Sequence, residues 1–427
     1  MEEIHLKAPR GWINDPNGFI YFNGEYHLFY QHFPYAPRWG RMHWGHAVSS
    51  DLMNWKHLDI ALFPTKTDDM DGCFSGSAIE KDGAMHILYT GVRYDTPDPE
   101  NTNCCLNDKF TASQLHISSA DGYNFDNFGG KTTVIPPITD TKIGDKNHTR
   151  DPKVWRGSYG NYYMVLGSTV EKQGRLLFYR STDLVRWDYV NYVTSEGYGW
   201  MWECPDYFQV DSSDVLIFSP MGTKHGNQAV CTLIDFDEQS CSAKIGSEFQ
   251  FFDYGLDLYA PQSTTDKDGR RIVVAWLRMP ESADNNTIGM YSIPRVCEVK
   301  DGHIFFRPHP DIQAKFTRKV TSPNGIYTVK ANLSEGEQLD IGGYIIRKEN
   351  GRIIADRSAV IRNHDELQNK FETPVLTGDA EIEAYVDKNM IEVFVNGGEY
   401  VITNAVYDLS HKVVGNAELY VMDDTEG

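Results

Sequence analysis

Long apolar runs are missing from this chain: no stretch of about 18 apolar residues occurs, so no membrane-spanning helix is expected. Long amphipathic helical patterns are missing too, and the chain reads as nearly all β. Cysteine is sparse and unpaired in spacing. The seven cysteines (73, 104, 105, 204, 231, 241 and 297) form an odd set without a CxxC, which argues against a disulfide framework or a zinc site and fits a reducing cytoplasm. Positive charge is in deficit, 40 basic against 60 acidic side chains for a formal charge of −20, which opposes broad contact with nucleic acid or an anionic membrane. A neutral or locally recognised substrate is expected, although a few Lys or Arg can still hold one small phosphorylated ligand. Met1–Arg10 carries Glu2 and Glu3 and no apolar stretch, so no secretory signal is expected and the location reads as cytoplasmic. Without that signal, the sequons at Asn147, Asn285 and Asn332 read as chance matches. A phosphate-binding loop, a nucleophile elbow, a dinucleotide fingerprint and a DxDxDG calcium loop are all absent. Phosphoryl transfer, serine hydrolysis and nicotinamide chemistry are therefore unsupported, and neither a cofactor nor a metal is expected.

What is present is an ordinary globular composition, 41% hydrophobic and 23% charged, in a length that favours two domains. Aromatics reach 13%, and flat rings suit the C–H faces of sugars as well as a core. Short strands alternate with Gly-containing turns. Phe19–Phe22, Asn23-Gly24 and Tyr26–Tyr30 form a strong hairpin signal, and similar pairs recur at Asp82-Gly83, Asp268-Gly269, Asp301-Gly302 and Asn396-Gly397. A weak repeat is superimposed on this: Ser49-x-Asp51-x-x-x-Trp55, Ser119-x-Asp121-x-x-x-Phe125 and Ser181-x-Asp183-x-x-x-Trp187. Its aspartates lie 70 and 62 residues apart, enough for a four-stranded blade with generous loops, which points to a β-propeller. Three unrelated turns would give the same residues, since Ser and Asp favour turns.

The texture changes near residue 300. Phe306-Arg307-Pro308-His309-Pro310-Asp311-Ile312 reads as a connector, its prolines being unsuited to a central strand. Segments such as Ile391–Val395 then alternate as half-buried strands do. The expected division is a propeller over 1–300, a linker over 301–313 and a β-sandwich over 314–427.

Three segments each place an acid one or two residues before a proline, ahead of an apolar strand: Trp12-Ile13-Asn14-Asp15-Pro16-Asn17-Gly18, Arg150-Asp151-Pro152 and Trp202-Glu203-Cys204-Pro205. The residue before a proline is biased toward extended backbone, so Asp15, Asp151 and Cys204 are expected to be extended at strand entrances. In a propeller such entrances face one end of the central channel, where distant acids can meet. Paired carboxylates are what glycoside hydrolysis requires, one attacking or stabilising the anomeric carbon and one protonating the leaving oxygen. Arg150 beside Asp151 offers a cation to keep one acid ionised, and Trp200 and Trp202 beside Glu203 offer apolar rings to keep another protonated. Spacing alone assigns no roles. A lone Asp-Pro is ordinarily a turn, and carboxylates also bind Ca²⁺. His32, His43, His46 and His57 lack ligand spacing and read as packing or hydroxyl-binding residues.

At these residues the chain resembles glycoside hydrolase family 32, which contains invertases, sucrose-6-phosphate hydrolases, inulinases and levanases. Besides WINDPNG at 12–18, with Ile13 where Met is common, the matching motifs are Tyr30-Gln31, Trp39-Gly40, WGHAVSSDLMNW at 44–55 and FSGSA at 74–78. RDPKVW at 150–155, WECPDYF at 202–208, YAPQ at 259–262, AW at 275–276 and IEVFVNGGE at 391–399 follow in family order. The resemblance implies a five-bladed β-propeller followed by a β-sandwich, and β-fructofuranosidase activity by double displacement with retention. On the matching positions it implies Asp15 as nucleophile, Glu203 as general acid/base and Asp151 as transition-state stabiliser. Asn14, Gln31, Trp39, Phe74, Ser75, Arg150, Tyr259 and Trp276 would line the fructose subsite, and Cys204 would pack behind Glu203. The substrate is then sucrose, sucrose 6-phosphate or a short fructo-oligosaccharide. A fructosyltransferase and a non-catalytic fructan-binding propeller are the alternatives, and neither the leaving sugar nor the oligomeric state is legible.

Overall fold

The computed structural model describes residues 4–362, 364 and 366–423. Among these, helix is confined to one turn at Pro310–Gln313 and two 3-10 turns at Thr67–Asp69 and Leu106–Asp108, and nearly everything else with regular structure is β. The turn chemistry explains much of this. At Asn23-Gly24, Asp82-Gly83 and Asp301-Gly302 both residues have positive φ, as two-residue hairpin loops matching the strand twist require.

Five antiparallel sheets follow one another in chain order. Their first strands are Gly11–Phe22, Gly72–Lys81, Arg150–Arg156, Met201–Val210 and Leu258–Thr265. Each first strand packs beside the next, and the fifth returns to the first, closing a ring. A late segment, Thr287–Ile288, pairs in parallel with the start of the first strand at Gly11 and Trp12 and ties the end of the ring to its beginning. Apolar clusters fill the seams between sheets: Phe29 and Trp44 meet Ile87 and Leu115 between the first and second, and Tyr163 and Phe178 meet Trp202 and Phe218 between the third and fourth.

The Ser-x-Asp-x-x-x-ring repeat is a real structural unit. Ser49, Ser119 and Ser181 end the third strand of the first, second and third sheets, and each hydroxyl donates to the aspartate two residues on, at 3.0, 2.8 and 3.2 Å. Those aspartates cap the following backbone N–H groups, and the indoles of Trp55 and Trp187 donate back to Leu52 and Leu184. Residues 301–313, expected to be a connector, form the outermost strand of the fifth sheet, His303–Pro308, and then the single helical turn. Pro308 closes an edge strand, where a missing N–H is tolerated.

Beyond residue 317 a six-stranded and a five-stranded sheet share one core, in which Val329, Ile382 and Val393 meet Leu339, Ile346 and Ile353. Met390–Val395 is buried on both faces rather than half-buried as its alternation implied. Ile391, Val393 and Val395 enter that shared core, while Met390 and Phe394 pack against the fourth and fifth sheets of the ring. Glu392 lies on this second face, fully buried, and is neutralised there. Arg295 reaches it at 2.5 Å and Asp253 at 2.9 Å, and His5 bridges Asp387 and Glu392 at 2.8 and 2.9 Å.

Burial alone would push His5 down, but the hydrogen bonds and charges of Asp387 and Glu392 outweigh it and raise its pKa from 6.5 to about 9. A group raised on folding stabilises fully below its unfolded pKa and loses that contribution as pH rises through its folded one. The melting temperature is therefore expected to fall between pH 7 and 10 more steeply in the native protein than in His5→Gln. Parallel declines would show that His5 is not the titrating group. Arg295→Met, which strands two buried acids, is expected to cost about 3–5 kcal/mol in denaturant unfolding.

Candidate active site

Every first strand of the ring breaks register near one end. Pairing slips between Ile13 and Pro16, Cys73 and Gly76, Glu203 and Asp206, and Tyr259 and Gln262, and the partner of the third strand slips between Val165 and Gly167, opposite Arg150–Lys153. Bulges of this kind re-aim side chains. At three of them a residue just before a proline takes positive φ: Asp151 at 65°, Cys204 at 47° and Ala260 at 51°. The extended backbone expected at Asp151 and Cys204 is thus corrected. The proline does disfavour the right-handed helical region, but the inserted residue swings the chain to the left-handed side, at about 1–3 kcal/mol of strain per residue. Local bonds hold it there. The Asp151 N–H donates to Thr90 Oγ1 at 2.9 Å, and the Cys204 N–H donates to Asp151 Oδ2 at 2.9 Å. Consecutive residues can then face the same side, so Asn14 and Asp15, and Arg150 and Asp151, all line one cleft.

That cleft has a volume of about 630 Å³, within the range of small-molecule sites. All eleven residues singled out from sequence line it: Asp15, Asp151 and Glu203, with Asn14, Gln31, Trp39, Phe74, Ser75, Arg150, Tyr259 and Trp276. Trp12 packs edge-on to Trp276 at 5.7 Å and Trp39 to Phe74 at 6.3 Å, giving aromatic walls. The acids are linked through Cys204, whose thiol lies 3.2 Å from Asp15 Oδ2 and 3.5 Å from Asp151 Oδ2. Asp15 Oδ2 also accepts from Ser75 Oγ at 2.6 Å, and Oδ1 from Asn14 Nδ2 at 3.3 Å.

The electrostatics differ from the sequence expectation. Arg150 turns its fork to Glu203, at 2.7 and 3.1 Å, and stands 4.0 Å from Asp151. Tyr259 OH donates to the other Glu203 oxygen at 2.6 Å. Trp202, expected beside Glu203, is fully buried in the seam between the third and fourth sheets and donates to Tyr198 O, leaving Trp200 at the cleft. Asp151 is raised to about 7: burial dominates, Arg150 pulls it down, and the Asp15 and Glu203 charges push it up. Asp15 is raised as well, by burial and by Glu203, against the hydrogen bond from Ser75. Burial and the neighbouring acids keep the Cys204 thiol protonated, a neutral donor between two carboxyls.

Sequence reading missed His148, Met221, Asn227 and Arg278, which also line the cleft. Nearness to the RDP and AW motifs was the only available signal for two of them. His148 bridges Arg150 at 3.2 Å and Asp108 at 3.2 Å, and Trp200 packs edge-on against it at 5.1 Å. Thr90, buried under Asp151, carried no signal at all. The four clustered histidines lie outside the lining: His46 stacks on Phe29 at 4.0 Å, and His32 and His43 bond backbone carbonyls at 2.9 and 3.0 Å. His57 bonds the Tyr30 hydroxyl at 3.1 Å.

A cleft that gathers Asp15, Asp151 and Glu203 with Arg150 and aromatic walls belongs to the class of sites that break glycosidic bonds. The particular family follows from comparison. The model of the glycosyl hydrolases family 32 N-terminal domain matches residues 5–308 and that of the family 32 C-terminal domain residues 308–425, so the chain belongs to glycoside hydrolase family 32. An Escherichia coli protein named raffinose invertase is 34% identical, over 95% of this chain and 89% of its own length. A Bacillus subtilis sucrose-6-phosphate hydrolase is 29% identical, over 97% and 91%. Among solved structures, a Bombyx mori GH32 beta-fructofuranosidase is 28% identical over 98% of this chain and 93% of its own, with a TM-score of 0.82.

A carboxyl raised on folding costs stability once its unfolded counterpart ionises. Asp151→Asn is therefore expected to raise the melting temperature at pH 8, by about 1–2 kcal/mol in stability, with the gain shrinking toward pH 5. A loss of stability at pH 8 would contradict the raised Asp151.

Proposed function

We propose that this chain is a retaining β-fructofuranosidase, releasing terminal β-D-fructofuranosyl units from sucrose, its 6-phosphate or short fructo-oligosaccharides. The observation that carries the proposal is the meeting of Asp15, Asp151 and Glu203, from three different sheets, in one sugar-sized cleft. The names of the relatives agree with it, and a mutant of the Bombyx mori enzyme was solved in complex with sucrose. In the same reading the five sheets are the blades of a five-bladed β-propeller and the two sheets that share a core are a β-sandwich. The join falls near residue 308, where the two family models meet. No helix among the described residues is long and apolar enough to cross a membrane, and seven free thiols fit a cytoplasmic setting.

Asp15 is the nucleophile. Its carboxylate forms a bond to the fructosyl anomeric carbon as the bond from that carbon to the leaving oxygen breaks, and Glu203 gives its proton to that oxygen. Water then attacks the same carbon, Glu203 takes the water's proton, and the ester to Asp15 breaks. Ser75 and Cys204 both hold Oδ2 of Asp15, which leaves Oδ1 the freer oxygen for attack. Asp151 sits opposite, where it accepts sugar hydroxyls and stabilises the charge that develops on the ring. Arg150 and Tyr259 hold the two Glu203 oxygens and fix where that acid stands.

The first fructose released from sucrose is expected to be the β anomer by NMR; first appearance of the α anomer would exclude retention. Asp15→Asn is expected to lower kcat by about 10⁴-fold or more. Glu203→Ala is expected to lose about 10²- to 10⁴-fold on sucrose and much less on fructosyl fluoride, whose leaving group needs no proton. Equal losses on both would remove Glu203 from the acid role. Product analysis at high sucrose separates hydrolysis from fructosyl transfer.

A further inference from the structure

Arg150 takes its direction from a residue that the reaction itself does not use. A guanidinium has only donors, and each nitrogen of this one has an acceptor: Nε and Nη2 converge on Glu203 Oε1 at 3.1 and 2.7 Å, Nη2 also meets Met221 Sδ at 3.8 Å, and Nη1 lies 3.2 Å from His148 Nδ1. Because arginine cannot accept, the last contact requires a bare lone pair on Nδ1. The ring proton then sits on Nε2, where Asp108 Oδ2 accepts it at 3.2 Å. A single tautomer of the neutral imidazole satisfies both partners. Burial and the Arg150 charge hold the His148 pKa below its ordinary value, against Asp108, Asp145 and Glu203, in keeping with that neutral form.

The imidazole is also held in place. Phe110 and Trp200 stand edge-on to it at 5.3 and 5.1 Å. The His148 N–H donates to Asp145 Oδ1 at 2.9 Å, Thr149 Oγ1 donates to Asp145 O at 2.7 Å, and Gln114 Nε2 donates to Thr149 O at 3.0 Å, so the chain is tied down just ahead of Arg150. Asp108 arrives from the second sheet on the turn Leu106–Asp108, and its carbonyl accepts from Asn147 Nδ2 at 3.1 Å. Asp108, His148, Arg150 and Glu203 therefore form one hydrogen-bonded line across the second, third and fourth sheets. Both imidazole nitrogens are taken, so the ring has no hydrogen bond to offer an arriving sugar, and its influence passes through Arg150. Without the Nη1 contact the guanidinium is free to turn toward Asp151, whose Oδ2 is 4.0 Å from Nε.

We propose that His148, oriented by Asp108, is a positioning residue: it fixes the Arg150 fork on Glu203 and so sets where the acid/base stands against the leaving oxygen. The inference rests on the β-fructofuranosidase reading and deepens it.

The test is steady-state kinetics of the native protein and of His148→Leu, His148→Asn and Asp108→Ala on sucrose and on fructosyl fluoride, comparing kcat/KM, which reads cleavage of the bond to the leaving group. His148→Leu is expected to lower kcat/KM on sucrose about 10- to 100-fold and on fructosyl fluoride much less, because only the sucrose leaving group needs the proton of the acid. His148→Asn puts an amide oxygen near the place of Nδ1, able to accept from Arg150, and should recover most of the loss. In a Glu203→Ala background, His148→Leu should add no further loss on sucrose. Asp108→Ala removes an exposed partner and is expected to cost about threefold on sucrose alone, a measurement that stands even if His148→Leu fails to fold. Equal losses on the two substrates, no loss in any variant, His148→Asn no better than His148→Leu, or an undiminished loss in the Glu203→Ala background overturns the role of His148. Failure of the native protein to hydrolyse either substrate overturns the enzymatic reading instead.

Discussion

The seams between the five inner strands are the constraint on which the cleft depends. Neighbouring first strands belong to different sheets, so no continuous backbone ladder joins them, and their polar groups are met by buried side chains instead. Gln262 accepts from the Phe19 N–H and donates to Gly76 O, at 2.9 and 3.0 Å, joining the fifth sheet to the first and second. Ser77 spans Pro152 O and the Val154 N–H, at 2.8 and 3.0 Å. Lys153 reaches Asp206 at 2.9 Å and Ser263 O at 2.8 Å, joining third, fourth and fifth. Each pin exchanges a desolvation cost for a directed contact, and half-satisfied pins would cost more than apolar packing. The arrangement therefore specifies how the strands sit relative to one another, which bulk hydrophobic packing in the seams cannot do alone.

On that frame the acids are held in an unfavourable electrostatic state. Asp15 and Asp151 are both buried and both raised, with Cys204 between them as an uncharged donor. Arg150, 4.0 Å from Asp151, is taken up by Glu203. The strain of positive φ at Asp151 and Cys204 adds to the same account. Sites of this kind trade stability for reactivity, and the surrounding pins and apolar seams are what make that trade sustainable.

Much of this was legible in the residues. Asn23-Gly24 and its counterparts marked hairpins because Asn or Asp followed by Gly accepts two consecutive positive φ values at little cost. The Ser-Asp-ring repeat marked the ends of three equivalent strands because the side chains themselves build the turn. The three acids were legible as candidates, yet their meeting was an inference from fold rather than from spacing. What sequence could not carry was anything set by contact across the ring. Arg150 was read as the partner of its neighbour Asp151, whereas a bulge sends its fork to Glu203. Glu392 was read as the polar face of a half-buried strand, whereas both faces are covered and two distant residues, His5 and Arg295, neutralise it. Thr90 shapes the Asp151 bulge from another sheet and leaves no local trace.

Because Asp15, Asp151 and Glu203 each come from a different sheet, no fragment of the ring holds a working site. Turnover is consequently a reporter of the whole ring's integrity: fraying of any one sheet that shifts its inner strand by an ångström silences chemistry two sheets away. Activity should vanish together with cooperative melting, without a partly active intermediate.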